Sequence, residues 1–139
     1  MVAMAPPETD SPRGRSKADW AKLTEKGLAL LIMRSSERRF VPYSEMEEFL
    51  GINRFDNGYV LGYIARRCKD NGWPMLPCVV TYKNTPEPNW DGLTAGLEWA
   101  KYEDYPRDPD GLRDWWLKEA WRSFSFWGSS PKKNTGKKE

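Results

Sequence analysis

Two cysteines, Cys68 and Cys78, are the side chains best suited to covalent chemistry, and the sequence has no histidine to activate either. A thiol is a poor nucleophile near neutral pH unless a base or cation turns it into thiolate. Without histidine there are no Ser-His or Cys-His pairs, and the commonest neutral-pH base and metal ligand is missing. Cys78 therefore reads as a small buried residue at a strand start, and Cys68 as part of a buried helix face. Glu103, Asp104, Asp108 and Asp110 lack the D-x-D-x-D-G order and closing glutamate of a calcium loop, so they read as a solvated acidic loop. No metal, cofactor or catalytic residue is expected.

Binding chemistry is better represented. Arg54, Arg66, Arg67 and Lys69 are either phosphate contacts or the solvated face of a helix. Four lysines lie among residues 132 to 138, a solubilising tail that also strengthens non-specific nucleic-acid binding. Eight tryptophans in 139 residues is a high count. Trp115, Trp116, Trp121 and Trp127 crowd the C-terminal end, as core or as a partner surface.

The elements that position these residues centre on 43–84. Ser44 and Glu47 form an S-x-x-E capping box, and Met46, Phe49 and Leu50 then make one apolar stripe. Gly51 suits a left-handed C′ position. Asp56 is read as the cap of a second helix, in which Val60, Leu61, Ile64 and Cys68 share a face. Asn71-Gly72 stops that helix and Pro74 prevents a restart. Pro77 to Lys83 is β-branched and aromatic, hence a strand. Asn84 to Asn89 is a turn, and Trp90 to Thr94 returns as a second strand.

On the N-terminal side, Ser16 and Asp19 start a helix at Lys17 whose stripe is Trp20, Leu23, Gly27, Leu30 and Leu31. Phe40 to Pro42 is a short strand pairing with the later one. Residues 95–108 fit either a strand or an irregular helix. A last helix runs from about Gly111 to about Ser123. Its Leu112, Trp116 and Ala120 share a core face, and Trp115 and Trp121 lie about 100° to either side. Trp121 or Trp127 should reach the surface.

The length fits one domain, with disordered tails at 1–15 and 128–139 around a folded 16–127. The chain is 39% hydrophobic and 30% charged, with a net charge of +2, so any electrostatic footprint must come from placement. No apolar run spans a bilayer and no apolar segment follows the N-terminal charges, which points to a cytoplasmic protein.

Tyr43-Ser44-Glu45-Met46, Leu50-Gly51, Leu61-Gly62 and Pro77-Cys78-Val79-Val80 follow one another in a recognisable order. The stretch resembles the winged-helix domain of the O6-alkylguanine-DNA alkyltransferases and alkyltransferase-like proteins, whose pattern is Y-x-x-L, L-x-G, V-G and P-C-H-R-V before a Gly-containing wing. It is also similar to small bacterial and phage winged-helix proteins with a V-V-N-K strand, here Val79 to Lys83. The likeness covers about residues 40–95. It implies that Tyr43 lies against DNA, that Tyr59 stands where the family inserts an arginine, and that Cys78 occupies the alkyl-acceptor position. The His-Arg that should follow Cys78 is Val-Val, so alkyl transfer is not expected.

The expected fold is therefore α+β and helix-dominated: a single winged helix-turn-helix domain with an N-terminal helix and a Trp-rich C-terminal helix. The first expected function is non-enzymatic binding of double-stranded DNA by a bacterial or phage protein. Asn53, Arg54, Asn57, Tyr59, Arg66 and Arg67 would act from the second helix, and Tyr43, Lys83 and Asn84 would hold the backbone. The alternative is a protein-binding module of phage or mobile-element origin that docks on a host complex, such as a defence system, through Trp121 and Trp127. A catalytically dead alkyltransferase-like DNA reader is the third. Arg54, Arg66 and Lys83 aligned on one open face would favour DNA, and an exposed Trp-rich face would favour a protein partner.

Overall fold

Helix α1 (Lys17–Ser36) begins where the sequence places it: the Ser16 hydroxyl accepts the Asp19 N–H at 3.1 Å. In the computed structural model, which describes residues 12–128, its Trp20, Gly27, Leu30 and Leu31 are buried. Gly27 is where α1 comes closest to its neighbours. A Cβ there would lie 3.0 Å from Met46 Cε and 3.2 Å from Val60 Cγ1, so any side chain at this position would have to push those neighbours back.

Strand β1 (Val41–Pro42) runs straight into helix α2 (Tyr43–Leu50). This corrects the expected capping box. Pro42 is the N-cap residue and makes no side-chain bond, so Ser44 already lies inside the helix. Gly51 closes α2 with a φ of 70°. Met46 and Leu50 are buried, but Phe49 is exposed, with Lys26 Nζ 5.4 Å above its ring.

Helix α3 (Arg54–Asn71) is capped by Asn53, whose Oδ1 accepts the Asp56 N–H at 2.9 Å. Asp56, expected to be the cap, sits within the first turn. Its buried carboxylate is instead bound by Arg13 and, at 2.9 Å, by Arg15. Residues 12–15, expected to belong to a disordered tail, are thus tied to α3. The remainder of that tail, and the basic tail after Gly128, lie outside the described residues.

The run expected as one strand from Pro77 to Lys83 divides in two. Leu76–Val79 forms a 3-10 turn, and only Val80–Thr81 is strand, β2. Proline offers no N–H to a ladder and fixes its own φ. Leu76, Cys78 and Val79 have no exposed surface at all, so their apolar character reflects burial on every side rather than a pleat. β2 pairs with β1 in parallel, Val41 with Val80 and Pro42 with Thr81. The expected pairing of these segments is present, over two residues.

The return strand expected at Trp90–Thr94 is the start of helix α4 (Trp90–Trp99). Asn89 caps it by accepting the Gly92 N–H at 3.1 Å. Leu93, Gly96 and Leu97 then recur at helical spacing and are buried. A Cβ on Gly96 would lie 3.8 Å from Gly62 Cα, so α4 packs closely on α3. Local β-propensity lost to this cap and this apolar stripe. The described residues therefore form a helix-dominated α+β fold with one small parallel sheet of two strands.

Helix α5 (Pro109–Gly128) is longer than expected at both ends. Its Trp116, Ala120 and Phe124 are buried. Trp116 Nε1 donates to the Cys78 carbonyl at 2.8 Å. Glu119, 3% exposed, accepts the Met75 N–H at 2.9 Å and Arg122 Nη1 at 2.6 Å. α5 thus holds the 75–78 segment by its backbone.

Replacing Glu119 with Leu should destabilise the protein by about 1–3 kcal/mol, because the Met75 N–H is left buried without an acceptor. Glu119→Gln, which keeps an acceptor, should lose less. Thermal melts of the two variants check this; equal melting points would remove the carboxylate from the account.

Candidate functional site

A cleft of about 630 Å³ opens between the N-terminal ends of α2 and α3 and the 82–89 loop. α2 contributes Tyr43, Ser44 and Glu47. α3 contributes Arg54, Phe55, Asn57, Gly58 and Leu61. Tyr82, Lys83 and Asn89 come from the loop side.

Tyr43 joins the walls. Its hydroxyl accepts the Asn89 N–H at 2.7 Å, and its ring centroid lies 5.2 Å from that of Tyr82. Burial pushes the Tyr43 phenol well above the ordinary tyrosine range, so it stays a neutral hydroxyl. The loop is also braced from behind. The Tyr82 N–H donates to the Glu87 carbonyl at 2.9 Å, and the Glu87 carboxylate pairs with Arg113 of α5. That hydrogen bond to Arg113 holds the Glu87 carboxyl below its ordinary value.

Phe55 lines the cleft from α3, and Arg54 lies 5.1 Å from its ring centre. Arg13 covers the same ring at 5.7 Å, so the strap that binds Asp56 also supports the cleft. Arg54 and Lys83 are exposed, and neither enters an ion pair among the described residues. Glu47 is the cleft's one carboxylate. It accepts from Asn57 Nδ2 at 3.4 Å, and burial raises its carboxyl against the opposing pull of Asn57 and Arg54.

The nine residues expected to meet DNA are placed unequally. Tyr43, Arg54, Asn57 and Lys83 come together in the cleft, with Asn57 buried in its floor. Asn53 and Asn84 are exposed, the first as the α3 cap and the second next to Lys83. Three are corrected. Tyr59 is buried with its ring 5.5 Å from Trp20, so it offers no edge to a groove. Arg66 donates to the Trp99 carbonyl at 3.0 Å and lies 3.9 Å over the Trp99 ring. Arg67 pairs with Glu25 of α1. Arg54, Arg66 and Lys83 thus share no open face. Arg66 looked solvated because Trp90–Thr94 was expected to be a strand and 95–108 was left open, so Trp99 had no place beside α3; Arg67 looked solvated because its partner, Glu25, lies on α1.

Sequence reasoning missed Phe55, Tyr82 and Asn89. The proline-containing turn immediately after Tyr82 was the available signal, since it places an aromatic residue at the base of a loop.

A second surface lies on α5. Leu117, Trp121 and Phe126 are 43%, 51% and 49% exposed and flank an open depression with Pro74, Lys118 and Arg122. Trp121 reaches the surface, as expected. Trp127, the other expected partner residue, is half-buried and stands edge-on to Trp73 at 5.3 Å.

Among the described residues no group of histidine, cysteine or acidic side chains could hold a metal ion. None of the helices there is long and apolar enough to cross a membrane. Comparison of the chain with protein-family models, curated proteins and solved structures finds no match.

Cys68 and Cys78 are free and buried. Burial pushes the Cys68 thiol up to about 12, and the Cys78 thiol well above its ordinary value. Neither should react with a thiol reagent at pH 8 while the protein is folded, and both should react in guanidinium. Rapid labelling of Cys78 in the folded protein would contradict this placement.

Proposed function

We propose that the protein is a non-enzymatic DNA-binding protein that holds nucleic acid in the cleft between α2, α3 and the 82–89 loop. One observation carries the reading: Tyr43, Arg54, Asn57 and Lys83, singled out from the sequence as DNA contacts, line one cleft with two further aromatic residues. In this reading α2, the turn at Gly51 and α3 are a helix-turn-helix, and β2 with the 82–89 loop is a shortened wing. Arg54 and Lys83 neutralise phosphates and fix position, while the rings and amides between them meet the bases.

Salt dependence tests the proposal. Each phosphate contact contributes about 0.9 to the log-log slope on duplex DNA and about 0.7 on a single strand. Arg54→Ala and Lys83→Ala should each reduce the slope by about one contact. Arg66→Ala and Arg67→Ala should leave it unchanged, because Trp99 and Glu25 hold those side chains. The tail lysines contribute equally to every variant. No binding at low salt, or a slope insensitive to Arg54 and Lys83, would sink the reading.

A second reading, docking on a protein partner, is favoured by the exposure of Leu117, Trp121 and Phe126. Trp121→Ala should cost about 1 kcal/mol of stability or less, against about 3–5 for the buried Trp116→Ala. Capture of a host protein that survives nuclease and is lost in Trp121→Ala would put this reading first. A large drop in melting temperature for Trp121→Ala would show that its ring serves the core.

A further inference from the structure

We propose that the cleft takes an unpaired strand of DNA rather than a duplex. This rests on the cleft being the DNA site, and it follows from what α3 is able to present. A protein reads the major groove by inserting an α-helix or a two-stranded ribbon. α3 is covered through its middle. α1 packs on it at Gly27 and through the Trp20–Tyr59 contact. α4 packs on it at Gly96, and Arg66 is stacked on Trp99. Its fully exposed residues lie only at the two ends, Arg54 at the start and Lys69 to Asn71 in the last turn, so no continuous face is free to lie in a groove. The 82–89 loop supplies no ribbon either, because the chain after it becomes α4.

The cleft offers what an unpaired base requires. It is concave, and its aromatic surface is accessible: Tyr82 is 47% exposed and backed by Tyr43. Phe55 stands on the other wall. Bases stack on such rings whatever their sequence, because every base has a π-face, and a base locked in a duplex cannot reach them. The cations are divided between the walls, Arg54 on the α3 side and Lys83 on the loop side. Phosphates of a strand crossing the cleft would meet one and then the other. Two cations are few for a duplex site, where phosphate contacts supply most of the affinity. They are enough where stacking shares the load.

The test is fluorescence anisotropy with a labelled oligothymidylate of about 12 nucleotides, within the span of known single-strand sites. A blunt duplex of the same length is measured at the same salt. The single strand should bind at least about tenfold more tightly. Tyr82→Ala should weaken single-strand binding about tenfold, the scale of one lost stacking contact. Tyr82→Phe, which keeps the ring, should bind like the parent. Because Tyr82 is half in water, the alanine variant should fold, and its melting curve confirms that. Equal or tighter binding of the duplex would overturn the proposal and leave the DNA reading standing. Failure of both probes to bind would overturn both. Single-strand binding unaffected by Tyr82→Ala would also overturn the proposal, by removing the aromatic wall from the contact.

Discussion

The carboxylate of Glu119 is the interaction on which most of the architecture depends. A buried charge is costly unless it is fully hydrogen-bonded. Glu119 meets that condition by accepting from the Met75 backbone on one oxygen and from Arg122 on the other. Three residues earlier on α5, the Trp116 indole donates to the Cys78 carbonyl. Together they fix a short, fully buried turn that has no long strand or helix of its own. That turn delivers Val80 and Thr81 alongside Val41 and Pro42. The same pairing brings Tyr82 next to Tyr43, and with it the loop that forms one wall of the cleft. A single face of α5 thus sets the distance between two segments of the proposed site.

The opposite wall has a separate support. Asp56 is held by Arg13 and Arg15, and Arg13 also lies over Phe55. Two arginine side chains therefore brace the Phe55 ring, Arg13 from the strap and Arg54 from its own helix. Pre-positioned rings lose little freedom when a ligand arrives, which is why rigid aromatic walls bind better than mobile ones. On the α5 surface, Trp121 stands edge-on to the buried Phe124.

Local chemistry was legible in the sequence at one helix start and at two glycines, whereas Ser44 and Asp56 were read as caps of helices whose N-cap residues are Pro42 and Asn53 instead. Ser16 starts α1, and Gly51 and Gly72 end their helices in the left-handed conformation. The inward face of α5 was legible because Leu112, Trp116 and Ala120 repeat at helical spacing behind the Asp108-Pro109-Asp110 start signal. What failed was decided at long range. Val79-Val80-Thr81-Tyr82 looks like a strand, but burial by α5 leaves two residues of it in the sheet. Asn89 is one of many turn-like residues until Leu93, Gly96 and Leu97 find α3 beneath them. That one error carried into the site. Without α4, Arg66 had no Trp99 to rest on, so it was read as a phosphate contact. Part of the cleft was visible in Tyr43, Arg54, Asn57 and Lys83. Phe55 and Tyr82 were not, because their role appears only when the loop folds back over α2.

The central claim is that nucleic acid enters the cleft formed by α2, α3 and the 82–89 loop. Amide chemical-shift mapping by ¹⁵N NMR tests it most directly, with the unlabelled oligonucleotide titrated into labelled protein. The account predicts shifts concentrated at residues 43–47, 53–58 and 82–89, with the exposed face of α5 from Leu117 to Phe126 unmoved. Shifts centred on Leu117, Trp121 and Phe126, with the cleft residues silent, would contradict it.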